Sequence, residues 1–152
     1  MNPSAFEVMD QVIKLRESKL PDPKLLPNAG SFFKNPLVSQ EKLLYLHSIY
    51  PNMPFFPQDI NQVKLAAGWL IDQVGMKGFC KDGVGVHEHQ ALVLVNYASQ
   101  NGKDIVALAK LIQRKVFESF GILLSPEVHM VTSQGKVDFA DLPPTFERNC
   151  YD

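Results

Sequence analysis

An α+β fold, a small mixed or mostly antiparallel sheet covered by three to four helices, follows from two features of this 152-residue sequence. Several stretches carry apolar residues every three to four positions, the period of an amphipathic helix. Between and after them lie short apolar runs bounded by glycine, proline and serine, which read as strands joined by turns.

The first helix is expected from about Ala5 to Ser18. Ser4-Ala5-Phe6-Glu7 has the form of a capping box, and Val8, Met9, Val12 and Ile13 recur at helical spacing. Leu20-Pro21-Asp22-Pro23 stops it, and a proline-rich connector runs to Pro27. Ser39 caps a second helix, in which Leu43, Leu44, His47 and Ile49 suggest one buried face ended by Pro51. Residues Pro51 to Gln62, rich in proline around Phe55 and Phe56, read as a loop. Leu65, Ala66, Trp69, Leu70 and Val74 make a third stripe with Gly75 as its C′ residue. Ala91 to Val95 is a buried strand. The clearest amphipathic helix spans Lys103 to Phe120, with Ile105, Leu108, Ala109, Ile112, Val116 and Phe120 inward and Gly121 closing it, and it is expected to pack across the sheet. Ile122 to Leu124 and Val128 to Thr132 read as strands, and Ser133-Gln134-Gly135 turns the chain into Lys136 to Phe139. The stretch from Asp141 to Asp152 reads as a tail. The organisation expected is a main domain over 1–132, followed by a hairpin and tail over 133–152.

Composition bounds the function. A net charge of -1 with 45% hydrophobic residues describes one ordinary domain and gives no electrostatic case for nucleic acid. No apolar run reaches membrane-spanning length, and the start has no basic region followed by an apolar one, so a cytoplasmic protein is expected. Cys80 and Cys150 share no motif and are read as free thiols. The glycines of Gly78 to Val86 have neither phosphate-loop spacing. His87-Glu88-His89 lacks a further ligand cluster, so no metal site is expected.

The polar chemistry concentrates in Asn28-Ala29-Gly30-Ser31-Phe32-Phe33-Lys34-Asn35-Pro36. Gly30 permits a backbone geometry or a close approach that a Cβ would block, and Ser31 follows it. The two phenylalanines supply rigid packing, while Lys34 and Asn35 add a cation and an amide that donates and accepts. Glu127 follows Pro126 and precedes an apolar run, which would hold its carboxyl at the edge of a partly buried pocket. Gln90 stands at the mouth of the Ala91–Val95 strand.

This block, with Lys64-Leu65-Ala66-Ala67-Gly68-Trp69-Leu70-Ile71-Asp72 and Pro126-Glu127-Val128, resembles the carboxy-terminal part of the UDP-N-acetylenolpyruvoylglucosamine reductase family, from about Lys19 to about Val131. The resemblance implies a flavoprotein, using FAD and NADPH, that reduces UDP-N-acetylenolpyruvoylglucosamine to UDP-N-acetylmuramate for peptidoglycan. By the same resemblance Ser31 is the proton donor and Glu127 its catalytic companion. Lys19, Asn35, Phe56, Lys77 and Gln90 contact the sugar-nucleotide, and Gly30 lies on the cofactor side. Phe56 stands where some members have tyrosine, which keeps stacking and loses a hydroxyl. The family's flavin-binding region lies upstream of anything in this sequence, and it would be the partner that supplies the flavin and an arginine. The competing reading is a non-catalytic sugar-nucleotide-binding module. Strands after Glu127 are further expected to leave an apolar edge free for self-association.

Overall fold

The computed structural model describes residues 2–99 and 101–143. Among these residues, four helices and three small antiparallel sheets make an α+β arrangement. The sheet expected as one body is therefore three.

Helix α1 (Ala5–Lys19) begins in the expected capping box: Ser4 Oγ accepts from the Glu7 N–H and Glu7 Oε2 accepts from the Ser4 N–H at 2.7 Å. It buries none of its residues. Strand β1 (Asn28–Ser31) follows the proline connector, and β2 (Leu37–Ser39) runs into α2 (Gln40–Ile49), whose N-terminus Ser39 caps by accepting from the Lys42 N–H at 3.1 Å. The buried face of α2 differs from expectation. Leu43 and Leu46 are buried while Leu44 and Ile49 are exposed, because a spacing of three keeps two side chains on one face and adjacent positions diverge by about 100°.

The proline-rich stretch read as a loop holds β3 (Phe55–Pro57), which pairs with β4 (Gln62–Leu65). Pro57 fits because β3 lies at the edge of the sheet ordered β2-β4-β3, where a missing N–H leaves no ladder bond unmade. Leu65 belongs to β4, so α3 is shorter than its stripe suggested and spans Ala67–Gln73. Strands β5 (Cys80–Lys81) and β6 (Val84–Val86) form a hairpin whose two turn residues, Asp82 and Gly83, both have positive φ. An Asp-Gly pair is suited to such a turn.

Strand β7 (Val93–Asn96) begins two residues later than expected, after a turn in which the Val93 N–H donates to the Gln90 carbonyl. It lies inside the sheet ordered β1-β7-β6-β5. Helix α4 (Gly102–Phe120) packs on β6 and β7, as expected, and buries Ala107, Leu108, Ala109, Ile112, Val116 and Phe120. Gly121 closes it in the left-handed conformation at φ +63°. Residues Ile122 to Leu124 form no strand, although Ile122 and Leu124 are buried. A hairpin of β8 (Met130–Thr132) and β9 (Gly135–Val137) and a short 3-10 turn (Phe139–Asp141) complete the described chain. Cys150 and the last part of the expected tail lie outside the described residues.

Candidate functional site

The Gly-Ser segment is held from both sides. Ser31 pairs with Val93 and the Phe32 N–H donates to the Leu92 carbonyl at 2.8 Å. On the other side the Glu127 N–H donates to the Phe32 carbonyl at 2.7 Å, Phe33 bridges to Pro126, and the Lys34 N–H donates to the Ser125 carbonyl at 2.9 Å. Phe32 and Phe33, both buried, pack edge to face at 5.0 Å and pin this frame from beneath. Ser31 and Glu127, remote in sequence, thus stand on paired backbones with exposed side chains. The partly buried setting expected for Glu127 is not formed, since its side chain is exposed while the next residue, Val128, packs against the core.

Gly30 has φ +75°, and the register of β1 against β7 shifts between Asn28 and Ser31. A glycine in the left-handed region lets a strand accommodate such a bulge. Apart from its chain neighbours, no residue comes within 4 Å of where a Cβ would stand, so the chain requires glycine there for its φ and leaves the space above it open. Asn28 steadies the bend by accepting from the Gly30 N–H at 2.9 Å.

Asn35 has a second role that sequence reading missed. Its Oδ1 accepts from the Ala67 N–H at 2.9 Å, and so it caps α3, whose own N-cap residue, Ala66, makes no side-chain bond. This commits the amide oxygen and leaves Nδ2 as the group that can meet a ligand. No local pattern announces a cap delivered from another strand.

Two residues beyond Asn35, Leu37 lies opposite Lys64, and Lys64 lies opposite Phe56 on its other side. Directly paired residues share a sheet face, so Leu37, Lys64 and Phe56 form one row away from buried Val63 and Leu65. Phe56 is 52% exposed. Lys64 was not singled out from sequence; the signal was the alternation in Gln62-Val63-Lys64-Leu65, hidden by reading Leu65 as helical.

Lys19, the last residue of α1, and Gln90 line one pocket of about 350 Å3 together with Arg16 and Leu20. Arg16 and Leu20 also line a neighbouring pocket of about 620 Å3 that reaches Asn28 and Gly30. Lys77 is exposed, with its Nζ 3.4 Å from Asp72 Oδ2. Its neighbour Gly78 sits beside Glu88, two residues before Gln90. The His87 ring accepts the His89 N–H at Nδ1, a local turn contact, and no group of three or more metal-ligating side chains occurs among the described residues.

These features define a class: an α+β domain that holds hydroxyl, carboxylate, amide and ammonium groups at exposed positions on a backbone frame locked by buried aromatic rings. Residues 22–131 match the sequence profile described as UDP-N-acetylenolpyruvoylglucosamine reductase, C-terminal domain, and the chain belongs to that family. It is 48% identical over 135 residues to the UDP-N-acetylenolpyruvoylglucosamine reductase of Pasteurella multocida, covering 89% of this chain and 40% of that protein. The reductase of the same name from Porphyromonas gingivalis is 50% identical over 131 residues, covering 86% and 39%. That of Pectobacterium atrosepticum is 48% identical over 141 residues, covering 91% and 41%. The chain therefore spans about two-fifths of the length of these curated relatives. No helix among the described residues is long and apolar enough to cross a membrane.

Proposed function

We propose that this chain is the substrate-binding part of a cytoplasmic flavin-dependent reductase. The reaction converts UDP-N-acetylenolpyruvoylglucosamine to UDP-N-acetylmuramate in peptidoglycan precursor synthesis, with NADPH as the source of electrons. The observation that carries this reading is the hydrogen bond from the Glu127 N–H to the carbonyl of Phe32, the residue after Ser31. It gives the two groups a common, rigid base beside the open backbone at Gly30.

Gly30, with open space where a Cβ would stand, would lie on the side that admits the flavin. When bound, reduced flavin supplies hydride to the vinyl carbon of the enolpyruvyl ether. The residues of this chain do the rest. Ser31 gives its hydroxyl proton to the adjacent carbon, next to the carboxylate, where the enolate electron pair forms the new C–H bond. A serine hydroxyl is a weak acid, yet the acceptor is strongly basic, and contact between the two atoms matters more than matched acidity. Glu127 orients that hydroxyl or stabilises the rearranged charge. Lys19, Lys64 and Lys77 serve the phosphates as mobile point charges. Asn35 offers Nδ2 to a ligand oxygen, Gln90 adds an amide at the pocket it shares with Lys19, and Phe56 stacks on the base. We assign these roles to the unit over 1–132 and none to 133–152.

The test uses the chain with the family's remaining portion supplied. Ser31→Ala is expected to lower kcat by roughly 10^2–10^4-fold, the usual worth of a positioned proton donor, with substrate affinity near normal. Unchanged kcat would overturn the assignment. Without that portion the chain is expected to show no NADPH oxidation dependent on the enolpyruvyl substrate.

A second reading is a sugar-nucleotide-binding module without catalysis. Substrate binding by calorimetry, with no turnover after the remaining portion is supplied, would select it.

A further inference from the structure

We infer that the apolar face of α1 is a docking surface for the part of the family's polypeptide that lies outside this chain, carried either on the same polypeptide or on a separate one. The inference rests on family membership and not on the catalytic roles proposed for Ser31 and Glu127.

Three independent observations carry it. First, Phe6, Met9 and Ile13 form one row on α1, and Val8, Val12 and Leu15 form the row beside it, at spacings of three and four that keep each row on one face. All six are exposed, from 44% at Ile13 to 84% at Phe6, and α1 buries no residue. The opposite face, with Glu7, Asp10, Lys14 and Ser18, is polar in the ordinary way for a helix that packs against something. Second, α1 ends at Lys19, and the match to the family's carboxy-terminal domain begins at residue 22. The helix adds no residue to the core that the other elements build and is joined to them by the Leu20–Pro27 connector. Third, the Pasteurella multocida relative carries 60% of its length beyond the matched stretch, the 100% less the 40% covered.

A helix of 15 residues is marginal in water without tertiary packing. Val12 and Leu15 border the pocket shared with Gln90, yet all six apolar side chains stay exposed, so a strong cap with this face marks an element whose partner lies elsewhere. Arg16 and Lys19 extend the same face at its carboxy-terminal end, so the receiving groove is apolar along most of its length and acidic or anion-bearing at one end. Docking there would also fix Lys19 and close one wall of the pocket it shares with Gln90.

The experiment co-expresses this chain with the amino-terminal portion of the Pasteurella multocida relative that precedes the matched stretch. Size-exclusion chromatography with light scattering then reads the stoichiometry, and hydrogen exchange reads the amides of residues 5–19. A 1:1 complex is expected, in which these amides exchange at least 100-fold more slowly than in the chain alone. Met9→Asp with Val12→Asp should abolish both effects, whereas Lys14→Asp on the opposite face should leave both. The double variant should not move the chain's own melting temperature, since neither side chain is buried in it. Should the relative's portion prove insoluble alone, fusing it ahead of this chain gives the same exchange readout, with residues 102–120 as the internal standard. Absence of a complex, unprotected α1 amides in complex or fusion, or indifference to the double variant would overturn the proposal. So would a homodimer of the chain in which the double variant exposes α1, because the face would then belong to a second copy.

Discussion

Helices α1 and α4 are built from the same kinds of signal and end in opposite circumstances. Each begins with a side-chain cap, Ser4 for α1 and Asn101 for α4, and each repeats apolar residues at helical spacing. Helix α4 buries six of its residues against β6, β7 and α3, and α1 buries none. Local sequence therefore decides that a helix forms and where it starts, while burial is decided by what the rest of the polypeptide brings to it.

That contrast predicts a large asymmetry in stability. Leu108→Ala or Ile112→Ala on α4, at sites with no exposure, should destabilise the domain by about 2–5 kcal/mol through lost burial and a residual cavity. Val12→Ala on α1 should change it by less than about 0.5 kcal/mol. Urea denaturation of the three variants measures both arms. A comparable loss from Val12→Ala would mean that α1 is already packed within this chain, and the contrast would collapse.

A middle case sharpens the comparison. Helix α3 takes its cap from Asn35, which reaches the Ala67 N–H from another strand. Losing such a cap costs typically about 1 kcal/mol, within about 0.5–2, so Asn35→Ala should lower stability by that order. Asn35→Asp keeps an acceptor for Ala67 and places a negative charge by a helix start, so its stability should stay near that of the parent. Denaturation midpoints of the pair provide the check. The same pair separates structure from binding: the aspartate retains the cap and lacks the Nδ2 donor, so a ligand contact made by Asn35 would be weakened in both variants.

The α1–α3–α4 series also shows what could be read in advance. Ser4 and Glu7, Ser39, Gly121 and the Lys103–Phe120 stripe are local patterns, and each lies where its pattern placed it. The partition of apolar residues was less legible where two neighbours compete for one face, as with Leu43 and Leu44, or where a strand abuts a helix, as with Leu65 and Ala67. Pro57 hid β3 because proline forbids a central strand but tolerates an edge, and edges are not marked in a sequence. Of the candidate site, the Gly30 bend and the anchoring by Phe32 and Phe33 were readable from residue type. The pairing of Phe32 to Lys34 with the Glu127 strip, the row through Lys64 and the cap made by Asn35 depend on which strands meet, information that no single stretch contains.

The smallest expected effect isolates α1 from the rest. Glu7 accepts from the backbone N–H and hydroxyl of Ser4, and these bonds, the backbone one first, hold its carboxyl below the usual range. A carboxylate whose acidity is raised by folding stabilises the folded form fully above its unfolded pKa, about 4.3 for a free glutamate. That contribution is lost as the pH falls through the lower, folded value. The Cα chemical shifts of residues 5–19 should therefore move toward unfolded values only when the pH drops below the range in which a free glutamate titrates, because protonation removes the acceptor that closes the capping box. Shifts of residues 102–120 should hold through the same range, since α4 is kept by burial that no carboxylate of α1 touches. Glu7→Gln should flatten the response of α1, because an amide oxygen still accepts from Ser4 and does not titrate. A transition common to both helices would show that α1 unfolds with the core and draws its stability from it.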